Sequence, residues 1–161
     1  MKVQSVRSKP RKHAFEIKTA RRVFEFPYSR CDPSPTKDDP VSRVCADEEL
    51  GREGFTYLLR SGREGTVLVD QVLEYNQDPR YMRDLLLYKL TIEAQERLET
   101  SDLSRREIIR RLDTSAAQFY RLIDQTNYRK SVDQMLALLQ VLDCDVDFVV
   151  RPKAASRRAA A

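Results

Sequence analysis

The stretch Leu103–Arg121, LSRREIIRRLDTSAAQFYR, decides the reading of this chain, because its spacing predicts two short capped helices joined by a tight turn. Ser104 and Glu107 make an S-x-x-E capping box, and Leu103 and Ile108 stand at the two positions of a hydrophobic staple, so the first helix has a defined start. It is predicted to run from about Arg105 to Leu112. Asp113 and Thr114 interrupt it, and Ser115 with Gln118 makes a second capping box, so a new helix begins three residues later. Two helices that close must cross at a large angle. In DNA-binding proteins of this build the second helix lies in the major groove with its N-terminal residues facing base edges.

The same residues resemble the λ-repressor-like (XRE) helix-turn-helix family, whose core commonly runs L-T-Q-x-E-L-A-x-x-L-G-V-S-x-x-x-I-S-R. Leu103, Ser104, Glu107, Ile108, Leu112, Ser115, Phe119 and Arg121 fall in register with that pattern. The family's small residue inside the first helix is Ile109 here, and its turn glycine is Asp113. The likeness continues through SVDQMLALLQVLDCDVDFVV, residues Ser131–Val150, which is similar to antitoxin-type members, and it covers roughly residues 80–152. It implies a DNA-binding regulator, and an antitoxin repressing its own operon is one form this takes. It also implies that the basic loop after the second helix touches the DNA backbone, which selects Arg129 and Lys130.

Read by their chemistry, Ala116, Ala117, Gln118 and Arg121 form the exposed N-terminal face of the second helix, with Phe119 and Leu122 turned inward. Gln can bond the adenine N6 and N7 edge, Arg can grip guanine O6 and N7, and alanine methyls can touch the thymine methyl. Gln118 has a second reading, since a glutamine at this place in a capping box can bond back to its own helix. Ser104, Arg105 and Arg106 open the first helix and suit a phosphate, as does Ser115 at the start of the second. Tyr120 either bonds a phosphate or packs as a half-buried ring. Arg110 and Arg111 read as a solvated face.

Charge is unevenly spread. Lys and Arg outnumber Asp and Glu by 9 to 2 in residues 1–30 and by 7 to 3 in residues 103–130, whereas residues 31–102 hold 9 against 16 and residues 131–161 hold 4 against 4. Only part of such a molecule should face a duplex. Cys31, Cys45 and Cys144 are three cysteines at wide spacing, which fits reduced thiols better than a disulfide framework. With His13 the single histidine, no nucleophile–histidine pair or zinc-type spacing can be assembled, so no catalytic residue, metal or cofactor is expected. No apolar run reaches the ~20 residues of a membrane span and no signal peptide is recognisable, which points to a cytoplasmic location.

The predicted fold class is α+β: a small N-terminal antiparallel sheet, then an all-helical domain of helix-turn-helix type ending in a short strand. Residues 1–12 carry five Lys or Arg and no acid, and are read as a flexible tail. Residues 13–77 are read as a sheet of about five strands: Phe15 and Ile17, then Phe24 and Phe26, alternate, Val41–Ala46 follows, and Phe55, Tyr57 and Leu59 lead through Ser61-Gly62 into Thr66–Val69. Residues 78–152 form the helical domain. Asp78-Pro79 starts a long helix from Arg80 to about Glu99, with Met82, Leu86, Leu90 and Leu98 as its buried stripe beside Leu85 and Ile92. Ser131 and Gln134 cap a further helix, and Val146, Phe148 and Val150 alternate in a terminal strand before a tail over 153–161. The expected function is sequence-specific recognition of double-stranded DNA by a transcriptional regulator, as a homodimer. The competing reading is a protein-interaction module, in which the N-terminal sheet binds a protein partner and the helical half has no operator.

Overall fold

The computed structural model describes residues 1–153. Over these residues the fold is α+β, with two antiparallel three-stranded sheets and five α-helices. The chain divides into two compact units, Met1–Tyr81 and the residues from Met82 onward.

In the first unit the alternating phenylalanines behave as expected. Strands β2 (Ala14–Thr19) and β3 (Val23–Pro27) pair antiparallel, with Phe15 opposite Phe26 and Ile17 opposite Phe24, all four buried. The predicted flexible tail is corrected here: residues Val3–Lys9 form strand β1, antiparallel to the other side of β2. A register shift between Val3 and Ser5 lets Val3 and Val6, three apart, both turn towards the core, and Val3 is 1% exposed. Lys9 pairs with Glu16 at 3.5 Å and Lys12 with Glu25. Exposed ion pairs of this kind contribute little, so the ladder and the burial of Val3 hold the strand.

The second sheet runs β4 (Val41–Ala46), β5 (Gly54–Leu59), β6 (Glu64–Leu68) in that order. The Ser61-Gly62 hairpin forms as read: Gly62 takes φ 88°, where a side chain would be strained, and Asp39 accepts bonds from Ser61 N at 2.8 Å and Arg63 Nη2 at 2.9 Å. Arg52 ties this part of the chain to β1, donating from Nε to Val3 O at 2.9 Å while its own carbonyl accepts Val3 N at 2.8 Å. The single five-stranded sheet expected from the sequence is therefore six strands in two sheets. Helix α1 (Val69–Tyr75) was also not anticipated, because the alternation of Val67 and Val69 runs straight into it; Val69, Val72 and Leu73 have helical spacing and are buried.

Aromatic rings fill the core of this unit. Phe15 meets Tyr28 and Phe55 edge-on at 4.9 and 5.0 Å, and the Tyr57 hydroxyl donates to Pro33 O at 2.7 Å. Cys31 lies beside them, and burial pushes its thiol up to about 12.

In the second unit, α2 (Pro79–Thr100) extends the predicted helix by a residue at each end. Its buried line differs from expectation: Leu87, Leu90, Thr91 and Ala94 are buried, whereas Leu86 and Leu98 only flank the core. Thr91 can lie inside because its hydroxyl donates to Leu87 O at 2.6 Å, so no polar group is left unpaired. Helices α3 (Arg105–Arg111), α4 (Ala116–Ile123) and α5 (Val132–Val141) complete the unit around Ile108, Phe119, Met135, Leu138 and Leu139. The predicted terminal strand is corrected: among the described residues 145–151 pair with no strand, since none lies alongside to complete a ladder. The tail predicted over 153–161 lies outside the described residues from 154 on.

Gly65 tests the aromatic core directly. A Cβ there would collide with the Tyr57 hydroxyl and ring and stand 2.8 Å from Asp32 O. Gly65→Ala is expected to cost about 1–3 kcal/mol of stability, as overpacking does. Urea unfolding followed by circular dichroism checks this; an unchanged midpoint would contradict the packing described.

Candidate nucleic-acid interface

The three serines identified as helix starts all act as caps. Ser104 Oγ accepts Glu107 N at 3.2 Å, Ser115 Oγ accepts Gln118 N at 3.1 Å, and Ser131 Oγ accepts Gln134 N at 3.4 Å. The reciprocal half of the capping box closes only at Ser131, where Gln134 Oε1 accepts the backbone N–H of the cap at 3.0 Å. Glu107 is drawn elsewhere: its carboxylate accepts Arg110 Nε at 2.9 Å, Arg110 Nη2 at 2.5 Å and Arg111 Nε at 2.9 Å. Hydrogen bonds from these two guanidinium groups hold the Glu107 carboxyl at about 2, well below its ordinary range. Gln118 is drawn to the preceding turn, where its Oε1 accepts the Thr114 hydroxyl at 2.7 Å.

The turn between α3 and α4 explains the departure from the glycine pattern. Asp113 takes φ 51°, the left-handed region, and Thr114 N donates back to Ile109 O at 3.3 Å, ending the helix as a glycine would. Aspartate is among the few residues that tolerate this region. Ile109, where the pattern has a small residue, sits half-buried against the core.

On α4, Phe119 is fully buried while Ala116, Ala117, Gln118, Tyr120 and Arg121 are exposed. Tyr120 keeps its ring edge-on to Phe119 at 5.4 Å with more than half its surface open. Ser104, Arg105 and Arg106 are exposed at the start of α3, and Ser115 at the start of α4. Arg105, Arg106, Arg121 and Arg129 form no ion pair with any described carboxylate, whereas Arg110 and Arg111 share Glu107.

Lys130 is corrected. It is buried, and its ammonium donates to Leu122 O at 2.8 Å and Asp124 O at 2.7 Å, capping the end of α4. Burial pulls its pKa below the ordinary lysine value. A group spent on two carbonyls inside the fold is not a phosphate contact. The clue was available in the sequence, because lysines near a helix C-terminus commonly bind its last carbonyls. The rest of the loop is built by short-range bonds: Asp124 Oδ1 accepts Thr126 N at 2.9 Å, Asn127 Nδ2 donates to Arg121 O at 2.9 Å, and Asn127 Oδ1 accepts Arg129 N at 3.1 Å.

Together these elements line a cleft of about 840 Å³ beside α4. It brings Gln118, Arg121, Arg129 and Lys130 to one place, with Asp113, Asp124, Thr114, Thr126 and Gln134 as further polar walls; of these only Asp124 and Thr126 were not singled out in the sequence reading. Ala116, Ala117, Ser115, Tyr120, Ser104, Arg105 and Arg106 lie outside it. The chain matches no known family model, no curated protein and no solved structure.

The depressed Glu107 carboxyl carries a pH signature. Its folded pKa lies below the ordinary 4.5, so the stabilisation it gives is complete above 4.5 and is lost as pH falls through about 2. Glu107→Gln should therefore flatten the pH dependence of the melting temperature between those values. Parallel curves for wild type and variant would show that the Arg110 and Arg111 bonds do not hold in solution.

Proposed function

We propose that this protein is a sequence-specific double-stranded DNA-binding transcriptional regulator of the helix-turn-helix kind, with α4 as the helix that enters the major groove. The observation that carries this reading is the outward face of α4: Ala116, Ala117, Gln118 and Arg121 are exposed over a buried Phe119, and Arg121 has no acidic partner among the described residues. Gln118 and Arg121 offer the donor and acceptor patterns that fit adenine and guanine edges, and the two alanines allow close approach to thymine methyls. Arg105 and Arg106 on α3, and Arg129 in the following loop, are exposed cations free to neutralise phosphate, joined by the hydroxyls of Ser104, Ser115 and Tyr120. One α4 spans too few base pairs for strong selectivity, so two copies would read half-sites about 34 Å apart.

Selection of bound duplexes from a random pool tests the proposal, since a sequence reader enriches a consensus and an interaction module does not. On that consensus, Arg121→Ala should lose about 1–3 kcal/mol more than on random DNA, the size of a guanine contact. Equal losses on both would remove Arg121 from base reading. Arg105→Ala should weaken all sequences alike and reduce the slope of log K against log salt by about one. A slope identical to wild type would remove Arg105 from the phosphate contacts.

A further inference from the structure

Beyond the end of α5 the chain keeps a two-sided character. Leu142, Cys144 and Val146 are half-buried against the core of the second unit, whereas Asp143, Asp145 and Asp147 between them are exposed. The same apolar face then continues as Phe148 and Val150, but the core has run out: Phe148 is 61% and Val150 94% exposed, with Val149 at 73%. An apolar face that leaves its own core and continues into solvent is a surface made to be covered.

What covers it is written in the charges. If two copies of this segment lie antiparallel about a two-fold axis at Phe148, Val146 faces Val150 and Cys144 faces Pro152 on the apolar side. On the other side Asp145 faces Arg151 and Asp143 faces Lys153, so two of the three acids before the axis meet bases after it, while Asp147 faces Val149. Moving the axis to Asp147 sets two carboxylates against each other, and a shift by half a residue sets the apolar face against the charged one. An axis at Val149 also matches charge, with Asp147 facing Arg151 and Asp145 facing Lys153, but only the Phe148 axis sets the two phenylalanine rings against each other on the apolar side. Pro152 lies on the same alternate positions as Phe148; with these as the non-hydrogen-bonded pairs, the missing N–H of proline costs no ladder bond.

We propose that residues Asp143–Lys153 are a strand-addition surface whose partner is the same segment of a second copy, paired antiparallel about Phe148. The resulting ribbon does not stand alone, because Cys144 and Val146 already rest on the core of each copy. The pairing does not depend on DNA recognition, so it is tested without DNA. A dimer with no sequence preference would overturn the proposed function and leave this inference intact.

Sedimentation equilibrium of the full chain should show a dimer at micromolar concentration. Val149→Pro, which deletes a ladder N–H from a residue exposed in the single chain, should give a folded monomer by circular dichroism and sedimentation. Asp145→Lys should weaken association at least about tenfold by opposing Arg151 of the second copy, and adding Arg151→Glu should restore it, because the charges are then exchanged across the axis. Phe148→Cys, with Cys45 and Cys144 replaced by serine, should cross-link under mild oxidation, since directly opposed residues in such pairs bring their Cβ atoms within disulfide reach. A monomeric wild type, a Val149→Pro variant that stays dimeric, or one that unfolds would overturn the proposal. So would failure of the charge exchange to restore pairing, which would show a different register.

Discussion

Everything that α4 can present outward follows from one side chain turned inward. Phe119 is fully buried among Ile108, Met135 and Leu138, and at 100° per residue its position fixes the orientation of the whole eight-residue helix. Ala117 and Arg121, about 160° round the helix from Phe119, and Gln118 at about 100°, are exposed because Phe119 is not. A helix of this length is unstable alone, so its existence rests on this burial, worth about 1.5–3 kcal/mol, and on the Ser115 cap. The side chain that fixes the fold here and those that would read DNA are therefore neighbours on one turn, and a change to either alters the other's setting.

Charge on this unit is rationed in a way that a count of residues hides. Of seven Lys and Arg in residues 103–130, two are held by Glu107 and Lys130 is spent on the carbonyls at the end of α4. What remains is Arg105, Arg106, Arg121 and Arg129, placed at the start of α3, on α4 and in the loop that follows. If the proposed function holds, Arg105, Arg106 and Arg129 as phosphate contacts would each add about 0.9 to the salt slope.

Much of the second unit was legible because helix caps are local chemistry. A serine and the N–H three residues on settle the matter within one turn, and Ser104, Ser115 and Ser131 were all read correctly. The side chain at the third position was read less well, because Glu107 and Gln118 had competing partners whose attraction depends on rotamer and not on spacing. The buried line of α2 differs for a related reason: Thr91 and Ala94 carry little apolar signal, yet one is satisfied by its own helix and the other is fully buried in the core. In the first unit, β1 escaped notice because its register shift puts the two inward valines three residues apart, destroying the period of two on which strand recognition depends. Its basic composition then argued for a tail. The split into two sheets was equally hidden, since pairing between strands is set by tertiary packing that no short window contains.

The terminal segment shows the same limit from the other side. Period two is a property of the chain itself, and the alternation from Leu142 to Val150 is plain in the sequence and in the burial of its first half. A strand is a property of the chain together with whatever lies beside it, and among the described residues nothing does. The face was therefore readable and the ladder was not. Yet the order of charges along that segment, three aspartates and then an arginine and a lysine, contains more than a face. An antiparallel self-pairing reverses that order onto itself, so a run that is acidic at one end and basic at the other is complementary only to its own reversed copy. An acid-to-base gradient over an alternating apolar face thus points to a partner and narrows the register to axes at Phe148 and Val149, even where the single chain forms no strand.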